Sequence, residues 1–156
     1  MIQDSGARRE FTTGAVRDIQ EGKGRCDLMP LDIFQDPILK SFERFKETGD
    51  VAHLKTALAN CEFFEDFATM LLEVSKHFEE GALKYGENNW QKGIPSHSYV
   101  DSAVRHYLKH MRGDTDERHD RAFVWNVFCC MWTCKHKPEL NDYAKDGDCN
   151  DRHGVN

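Results

Sequence analysis

Two segments of the sequence carry carboxylates at spacings that could hold a divalent cation. Glu79 and Glu80 are adjacent in the first segment, and Glu117 and Asp120 stand three residues apart in the second. On a helix, residues three apart share one flank, and helical bundles aim such pairs inward at metal ions. Hard cations held by carboxylates bind polyphosphates and activate water. The spacing alone is common in acidic helices, so the prediction depends on the surrounding residues.

Four ionisable side chains form a narrow band beside an apolar stripe in the first of these segments. The band contains Glu73, His77, Glu80 and Lys84, which helical periodicity places side by side. Either the band is a solvated face with ion pairs between residues three or four apart, or it lines a site. The apolar stripe, which we expect to face the core, is made of Phe67, Leu71, Val74 and Phe78.

A polar and aromatic loop follows this segment. Residues 85–95 include two glycines, a proline, a tryptophan and amide side chains. Loops of this composition often carry functional residues on a rigid scaffold. Beyond the loop, Asp101 and Arg105 are four residues apart on a predicted helix, and we expect an ordinary surface ion pair between them.

Five helical segments position these residues. Proline at a first helical turn, glycine at a helix end and the hydrophobic period indicate their bounds. No repeat or strand alternation is present in the sequence, so we predict an all-α bundle of about five helices. The predicted elements are a helix from Pro37 to Gly49, a second that Asp50 opens, a third from about Phe67 to Tyr85, a fourth over about 98–111, and a fifth that a capping box at 114–117 opens and that ends near Lys135.

The chain divides into three predicted parts. Residues 1–36 are rich in glycine, arginine and aspartate without a clear period, which indicates an arm whose backbone packs on the domain. Residues 37–137 form the helical domain. Residues 138–156 follow a proline and are acidic, so we expect a flexible tail.

The fifth helix is apolar on nearly all sides from Ala122 to Trp132. Such a helix is typical of a bundle centre or an oligomer interface, and we expect a homodimer or homotetramer. Apart from two cysteines, Asn126 is the only polar side chain in that run, and His119 lies on the same face two turns earlier. Because a buried amide must find partners, Asn126 is either a satisfied structural residue or a ligand contact.

Composition excludes several classes of protein. The chain carries 21 basic and 27 acidic side chains, a formal net charge of −6, which argues against binding of duplex nucleic acid through phosphates. No apolar run approaches the length of a membrane helix, and the first residues do not form a signal peptide. We therefore expect a cytoplasmic protein, in a bacterium or a phage-infected host cell, with its six cysteines reduced and buried.

The order of motifs resembles that of the phage and prophage dATP/dGTP diphosphohydrolase domain, which is similar to the MazG-type all-α nucleotide pyrophosphohydrolases. The resemblance covers about residues 5–140. The matching motifs are Gly22-Lys23-Gly24-Arg25-x-Asp27-Leu28-Met29-Pro30, His77-x-Glu79-x-Gly81-x-x-Lys84-Tyr85-Gly86-x-x-Asn89-Trp90-x-Lys92-Gly93, Asp101-Ser102-x-x-Arg105-His106, Gly113-Asp114, and His119-x-x-Ala122-x-x-Trp125-Asn126.

This resemblance implies Mg²⁺-dependent hydrolysis of a purine (deoxy)nucleoside triphosphate to the monophosphate and pyrophosphate, with Mn²⁺ as a possible substitute. Its implied metal ligands are Glu79, Glu80, Glu117 and Asp120, and Glu79, Glu80 and Lys84 are its implied catalytic residues. MazG-type enzymes carry E-E-x-x-E on the first metal-binding helix, whereas Leu83 occupies the last of these positions here. The implied substrate-binding residues are Lys84, Tyr85, Asn89, Trp90, Lys92, Asp101, Arg105, His106, His119 and Asn126.

Three alternatives remain open. The domain could bind and sequester a nucleotide without turnover, since the third glutamate of the MazG pattern is missing. An HD phosphohydrolase would use His106, His119-Asp120 and Asp142 as metal ligands. A zinc site could use Cys134-x-His136 and Cys149-x-x-x-His153, although no C-x-x-C pair supports it.

Overall fold

The computed structural model describes residues 6–144, and within them the chain is an all-α bundle with one small β-hairpin. The predicted fold class is confirmed. Short 3₁₀ turns cover Cys26–Leu28, Leu31–Ile33, Asn89–Lys92 and Pro138–Leu140. The hairpin strands are β1 (Arg8–Glu10) and β2 (Val16–Asp18), and the helices are α1 (Pro37–Thr48), α2 (Ala52–Ala59), α3 (Phe67–Tyr85), α4 (Ser96–Arg112) and α5 (His119–His136).

The bounds of α1 and α3 follow from their terminal residues. The Asp36 carboxylate accepts hydrogen bonds from the backbone N–H groups of Ile38 and Leu39, both at 2.9 Å, and Pro37 occupies the first turn of α1. Gly49 ends this helix in the left-handed region, at φ 70°. The predicted bounds of α3 are confirmed, with Asp66 as its N-cap.

The fifth helix begins later than predicted. It starts at His119, because Asp114 pairs with Arg112 instead of capping a helix and the Glu117 side chain faces a cavity. The predicted capping box is therefore wrong. The helix lies in the core of its own chain, where Phe123 and Val124 are fully buried. Much of its apolar surface is buried within its own chain, and the homo-oligomer stays a prediction.

The apolar stripe of α3 packs over only part of its length. Val74 is buried, but Phe67 is 70% exposed and Leu71 is 39% exposed. The expectation that the whole stripe faces the core is wrong, since its first two members are exposed.

The N-terminal arm packs on the bundle as a hairpin, with β1 and β2 antiparallel and Arg9 opposite Arg17. The expectation that the chain has no strands is wrong. Strands of three residues are too short to produce a recognisable alternation. Ala15 and Leu31 of the arm are fully buried in the main core.

The described part of the tail contacts the bundle. Tyr143 packs against Phe45 with ring centroids 5.4 Å apart, and the Asn141 amide donates to the backbone carbonyl of Gly49 at 2.9 Å. The remaining residues of the predicted tail, 145–156, lie outside the described residues. No helix within residues 6–144 is long and apolar enough to cross a bilayer.

All five cysteines within residues 6–144 are free thiols, and Cys129 and Cys130 are buried. The sixth, Cys149, lies outside the described residues.

Candidate active site

A cavity of about 480 Å³ lies between the hairpin, α3, α4 and α5. The loop that follows α3 forms its rim, and the side chains of Trp125 and Asn126 on α5 form part of its wall. A cavity of this size fits a small-molecule ligand such as a nucleotide. Of the predicted site residues, those that line it are Glu79, Tyr85, Asn89, Trp90, Asp101, Arg105, His106, Glu117 and Asn126.

The four predicted metal-binding carboxylates are divided between two environments. Glu79 and Glu117 face the cavity, and the Glu117 pKa is raised because the carboxyl group is partly buried. Glu80 lies 3.7 Å from the guanidinium of Arg121. Asp120 accepts two hydrogen bonds from Arg118, at 3.0 and 2.7 Å. Within the described residues, the four carboxylates do not form a group that could share one metal ion.

The band on α3 is not a solvated face. Glu73 accepts hydrogen bonds from Arg121 of α5, at 2.8 Å from Nε and 2.5 Å from Nη2. His77 is buried, and desolvation together with the positive charge of Arg17 lowers its pKa to about 4. The band therefore joins α3 to α5 at one end and borders the cavity in its middle.

Asp18 of β2 engages the C-terminal end of the band. Its carboxylate accepts hydrogen bonds from Lys84 Nζ at 2.9 Å, from the Tyr85 hydroxyl at 3.0 Å and from Arg8 at 3.0 Å. Burial and the neighbouring Asp18 charge raise the pKa of Tyr85, so its hydroxyl stays protonated and donates. Lys84 thus fastens the hairpin to α3.

Asn89 holds the hairpin through a paired amide contact. Its Oδ1 accepts from the Val16 N–H and its Nδ2 donates to the Val16 carbonyl, both at 2.9 Å. This side chain acts as a substitute strand partner for β2, and one N–H and one oxygen lone pair of its amide are not used by Val16. Next to it, Trp90 packs edge-on against Trp132 at 5.0 Å, and the Lys92 ammonium lies 3.5 Å from the carbonyl of Gly14.

Arg17, which the sequence analysis did not select, reaches from β2 into the cavity wall. Its Nη2 donates to Oδ1 of buried Asn126 at 2.9 Å, and its guanidinium lies over the rings of Tyr99 and Trp125. The Asn126 Nδ2 donates to the carbonyl of Ala122 at 2.7 Å, so this amide has both its partners.

Two further cations of the arm border the same cavity. Arg9 donates to Gln20 at 2.9 Å and to Ser98 at 3.2 Å, and its pKa is lowered by burial and by the nearby Arg17 charge. Burial also lowers the pKa of Lys23. Together with Arg17, these residues give the arm side of the cavity a positive charge. The sequence indicated only that the arm is rich in glycine and arginine. No spacing in it predicted which side chains point towards the helices.

Asp101 and Arg105 do not form the surface pair that their spacing predicts. Asp101 is only 2% exposed, and besides Arg105 it binds the backbone N–H of Cys26 at 2.6 Å and Gln20 Nε2 at 2.9 Å. The Arg105 Nε donates in turn to the carbonyl of Lys23 at 3.1 Å. This buried pair fastens residues 20–26 to α4. The spacing of four residues says nothing about these contacts with the arm, so it predicted only a surface ion pair.

His106 and His119 meet at the end of the cavity near Glu117. Their Nδ1 atoms are 2.9 Å apart, and His119 Nε2 lies 2.8 Å from a carboxylate oxygen of Asp116. The hydrogen bond from His119 lowers the pKa of Asp116 to about 2. Burial holds the pKa of His106 well below its usual value, so its imidazole can offer a lone pair at neutral pH. Only His106 lines the cavity itself.

Residues 45–143 match the family described as dATP/dGTP diphosphohydrolase, N-terminal. The chain belongs to this family. No curated protein and no solved structure matches the chain.

The matched segment of this dATP/dGTP diphosphohydrolase N-terminal domain runs from the end of α1 to Tyr143. It therefore contains Glu79, Glu117 and both histidines, whereas the cations of the arm precede it. The domain's cavity is closed by residues on both sides of that boundary.

The ligand set of an HD phosphohydrolase is not assembled. Asp142 accepts the backbone N–H of His97 at 3.0 Å, and Asp120 pairs with Arg118, so neither joins His106 and His119. Cys134 and His136 belong to no metal-binding group within residues 6–144, and the other half of the predicted zinc site lies outside the described residues.

Proposed function

We propose that this domain hydrolyses a purine deoxynucleoside triphosphate, or a related nucleotide, to the monophosphate and pyrophosphate with Mg²⁺. The observation that carries the proposal is the cavity with cations of the arm on one side and Glu79 and Glu117 on the other. Such a cavity can take a triphosphate together with its divalent cation. The family description supports the class of substrate and reaction.

The phosphate groups would bind on the arm side. Arginine guanidinium groups pair with phosphate oxygens through two hydrogen bonds and stay charged at all relevant pH values. Arg17 is held rigidly by Asn126 and two aromatic rings, so it is positioned before the substrate arrives. Lys23 adds charge to the same side and can stabilise the oxygens of the leaving pyrophosphate.

The metal would bind on the carboxylate side. Glu79 and Glu117 offer the oxygen ligands that Mg²⁺ prefers, and a cation would offset the cost of burying the Glu117 charge. Bound Mg²⁺ neutralises phosphate charge and lowers the pKa of water. Glu80 and Asp120 stay predicted ligands, on the condition that each exchanges its arginine partner for the cation.

The base would lie along the aromatic part of the wall. Tyr85 and Trp125 both line the cavity, and His77 between them is neutral at pH 7. Stacking on such rings favours the larger purine surface and suits the family's dATP and dGTP.

The test is a panel of deoxynucleoside and nucleoside triphosphates with Mg²⁺, with products separated by anion-exchange chromatography. We expect pyrophosphate and a monophosphate from dATP or dGTP. Arg17→Ala should raise KM about tenfold or more, because a charged hydrogen bond to phosphate is lost. Arg44→Ala, at a largely exposed position on α1, is the matched control and should leave KM unchanged. Absence of product with every nucleotide would refute the proposal.

A second candidate is nucleotide binding without turnover. The arginine pairs of Glu80 and Asp120 favour it, since they occupy half of the predicted metal ligands. Calorimetric titration distinguishes the two, because stoichiometric binding of dATP or dGTP without pyrophosphate release would select the binding module.

A further inference from the structure

His106, Glu117 and His119 place two imidazole nitrogens and a carboxylate close enough to share one ion. One ligand atom from each lies within 4.8 Å of the others, and the two Nδ1 atoms are 2.9 Å apart. Two nitrogens bound about 2.05 Å from one ion would lie about 2.9 Å apart at a right angle and about 3.4 Å apart at a tetrahedral angle. The observed spacing therefore suits adjacent positions of an octahedral ion.

Asp116 stands where a metal-binding histidine usually has its second partner. Metal-bound histidines donate their other ring N–H to a carboxylate, which fixes the ring orientation. His119 Nε2 lies 2.8 Å from Asp116 Oδ1, and Lys109 contacts the other oxygen of the same carboxylate at 3.3 Å. A proton held on Nε2 by Asp116 would leave the Nδ1 lone pair of His119 directed at His106.

Glu117 completes the set as a carboxylate in need of a positive partner. It is partly buried, and its side chain makes no hydrogen bond or ion pair with any of residues 6–144. Arg118, its neighbour in sequence, is turned away to Asp120 and Glu73. A bound cation would supply the missing charge.

We propose that His106, Glu117 and His119 bind a divalent first-row transition metal ion, with Asp116 as the outer carboxylate. Imidazole nitrogens select such ions over Mg²⁺, and two histidines with one carboxylate on adjacent positions leave the opposite positions open. His106 and Glu117 line the cavity, so the open positions face the space assigned to the nucleotide. At Glu117 this ion would take the place of the Mg²⁺ proposed above. The part of the metal in nucleotide hydrolysis rests on the proposed function, whereas its binding by these three residues does not.

Cobalt binding tests the inference without any turnover. Untagged full-length protein is treated with chelator, dialysed and titrated with Co²⁺, followed by visible absorption and by elemental analysis. We expect one Co²⁺ per chain with the weak bands of nitrogen and oxygen ligation. Binding should weaken at least about 100-fold in His106→Ala and in His119→Ala, and about 10- to 100-fold in Asp116→Asn. The control His136→Ala, at an exposed position on α5, should bind as the wild type does.

His119 is fully buried, so circular dichroism must show that each variant is folded. If His119→Ala does not fold, the His106→Ala variant, whose site lies on the cavity wall, carries the test. Equal Co²⁺ affinity in wild type and His106→Ala would overturn the inference, and so would an intense sulfur-to-cobalt band. The short Nδ1 contact would then be a hydrogen bond between the rings. Pyrophosphate release with Mg²⁺ and no Co²⁺ site would refute this inference alone. A Co²⁺ site without turnover would instead refute the proposed function alone.

Discussion

Replacement of Asp101 by Asn should strongly destabilise the protein, although the two side chains are nearly the same size. The carboxylate is 2% exposed and binds Arg105, the Cys26 N–H and Gln20 Nε2. The single oxygen of an amide can take only one of the two carboxylate positions, and so accepts either from Cys26 or from Gln20 and Arg105. Its N–H₂ group, however, would face donors, and the guanidinium of Arg105 would lose its counter-charge.

The magnitude follows from the burial of the pair. Removing one partner of a buried ion pair costs about 3–5 kcal/mol, because the other charge stays desolvated. The Arg105 side chain is 16% exposed and keeps its hydrogen bond to the Lys23 carbonyl, which places the expected cost at the lower end, about 3 kcal/mol. For a chain of this length, that corresponds to a fall in Tm of about 6–12 °C.

The assay is thermal unfolding followed by circular dichroism, with Glu47→Gln as the control. Glu47 pairs with Arg44 at 3.4 Å on an exposed face of α1, so its loss should cost less than about 0.5 kcal/mol. Hydrogen exchange should also accelerate at residues 20–26 in Asp101→Asn, because these residues lose their attachment to α4. A fall in Tm no larger than that of the control would refute the reasoning that the buried pair fastens the arm.

Three other variants test separate contacts. Hydrogen bonds from Lys76 and Arg121 lower the pKa of Glu73 from 4.5 to about 2. The stabilising effect of this carboxylate is therefore complete above about pH 4.5 and is lost as the pH falls towards 2. Glu73→Gln should flatten the acid dependence of Tm in that range. Asn89→Leu removes both hydrogen bonds to Val16, and hydrogen exchange in the hairpin should rise about tenfold or more while α4 and α5 keep their protection. In Gly49→Ala, φ is 70° and the new Cβ would lie 2.6 Å from backbone atoms beyond the last 3₁₀ turn. Tm should therefore fall further than in the control Gly22→Ala, where φ is also positive but no atom lies near the new Cβ.

The helices could be predicted because their signals are local. Pro37, Gly49 and Gly86 mark helix ends by backbone chemistry that needs no tertiary contact, and the bounds of α3 agree with the structure to the residue. The start of α5 could not be predicted in this way. The capping signal at Asp114 and Glu117 is real in the sequence, but the Asp114 carboxylate binds Arg112, two residues earlier, instead of a helix N-terminus.

Residues that line the cavity could be predicted from the sequence where one element contains the motif. They could not be predicted where two elements distant in the sequence come together. Glu79 and Tyr85 belong to one motif on α3 and His106 to another on α4, and all three line the cavity. Arg17 could not be predicted from the sequence, because its role depends on a hairpin that brings it to Asn126, which is 109 residues away in the sequence. A polar side chain in a loop suggests a ligand contact, which stays a prediction for Asn89; that the same amide binds Val16 of β2 could not be predicted from the sequence.

The arm is therefore as much a part of the candidate site as the helices of the matched family. The helices supply carboxylates and imidazoles, and the arm supplies Arg9, Arg17 and Lys23, so only the assembled cavity has the charge distribution on which the proposed function depends. Asp18 and Asn89 fasten β2 to α3 and to the loop that follows it, and Asp101 fastens residues 20–26 to α4. A ligand that contacts both sides binds only the assembled form, and at 100 times its Kd it would stabilise that form by about 2.7 kcal/mol. Such a ligand should offset most of the loss in Asp101→Asn, whereas a ligand that contacts the helices alone would leave the arm as exposed to hydrogen exchange as before.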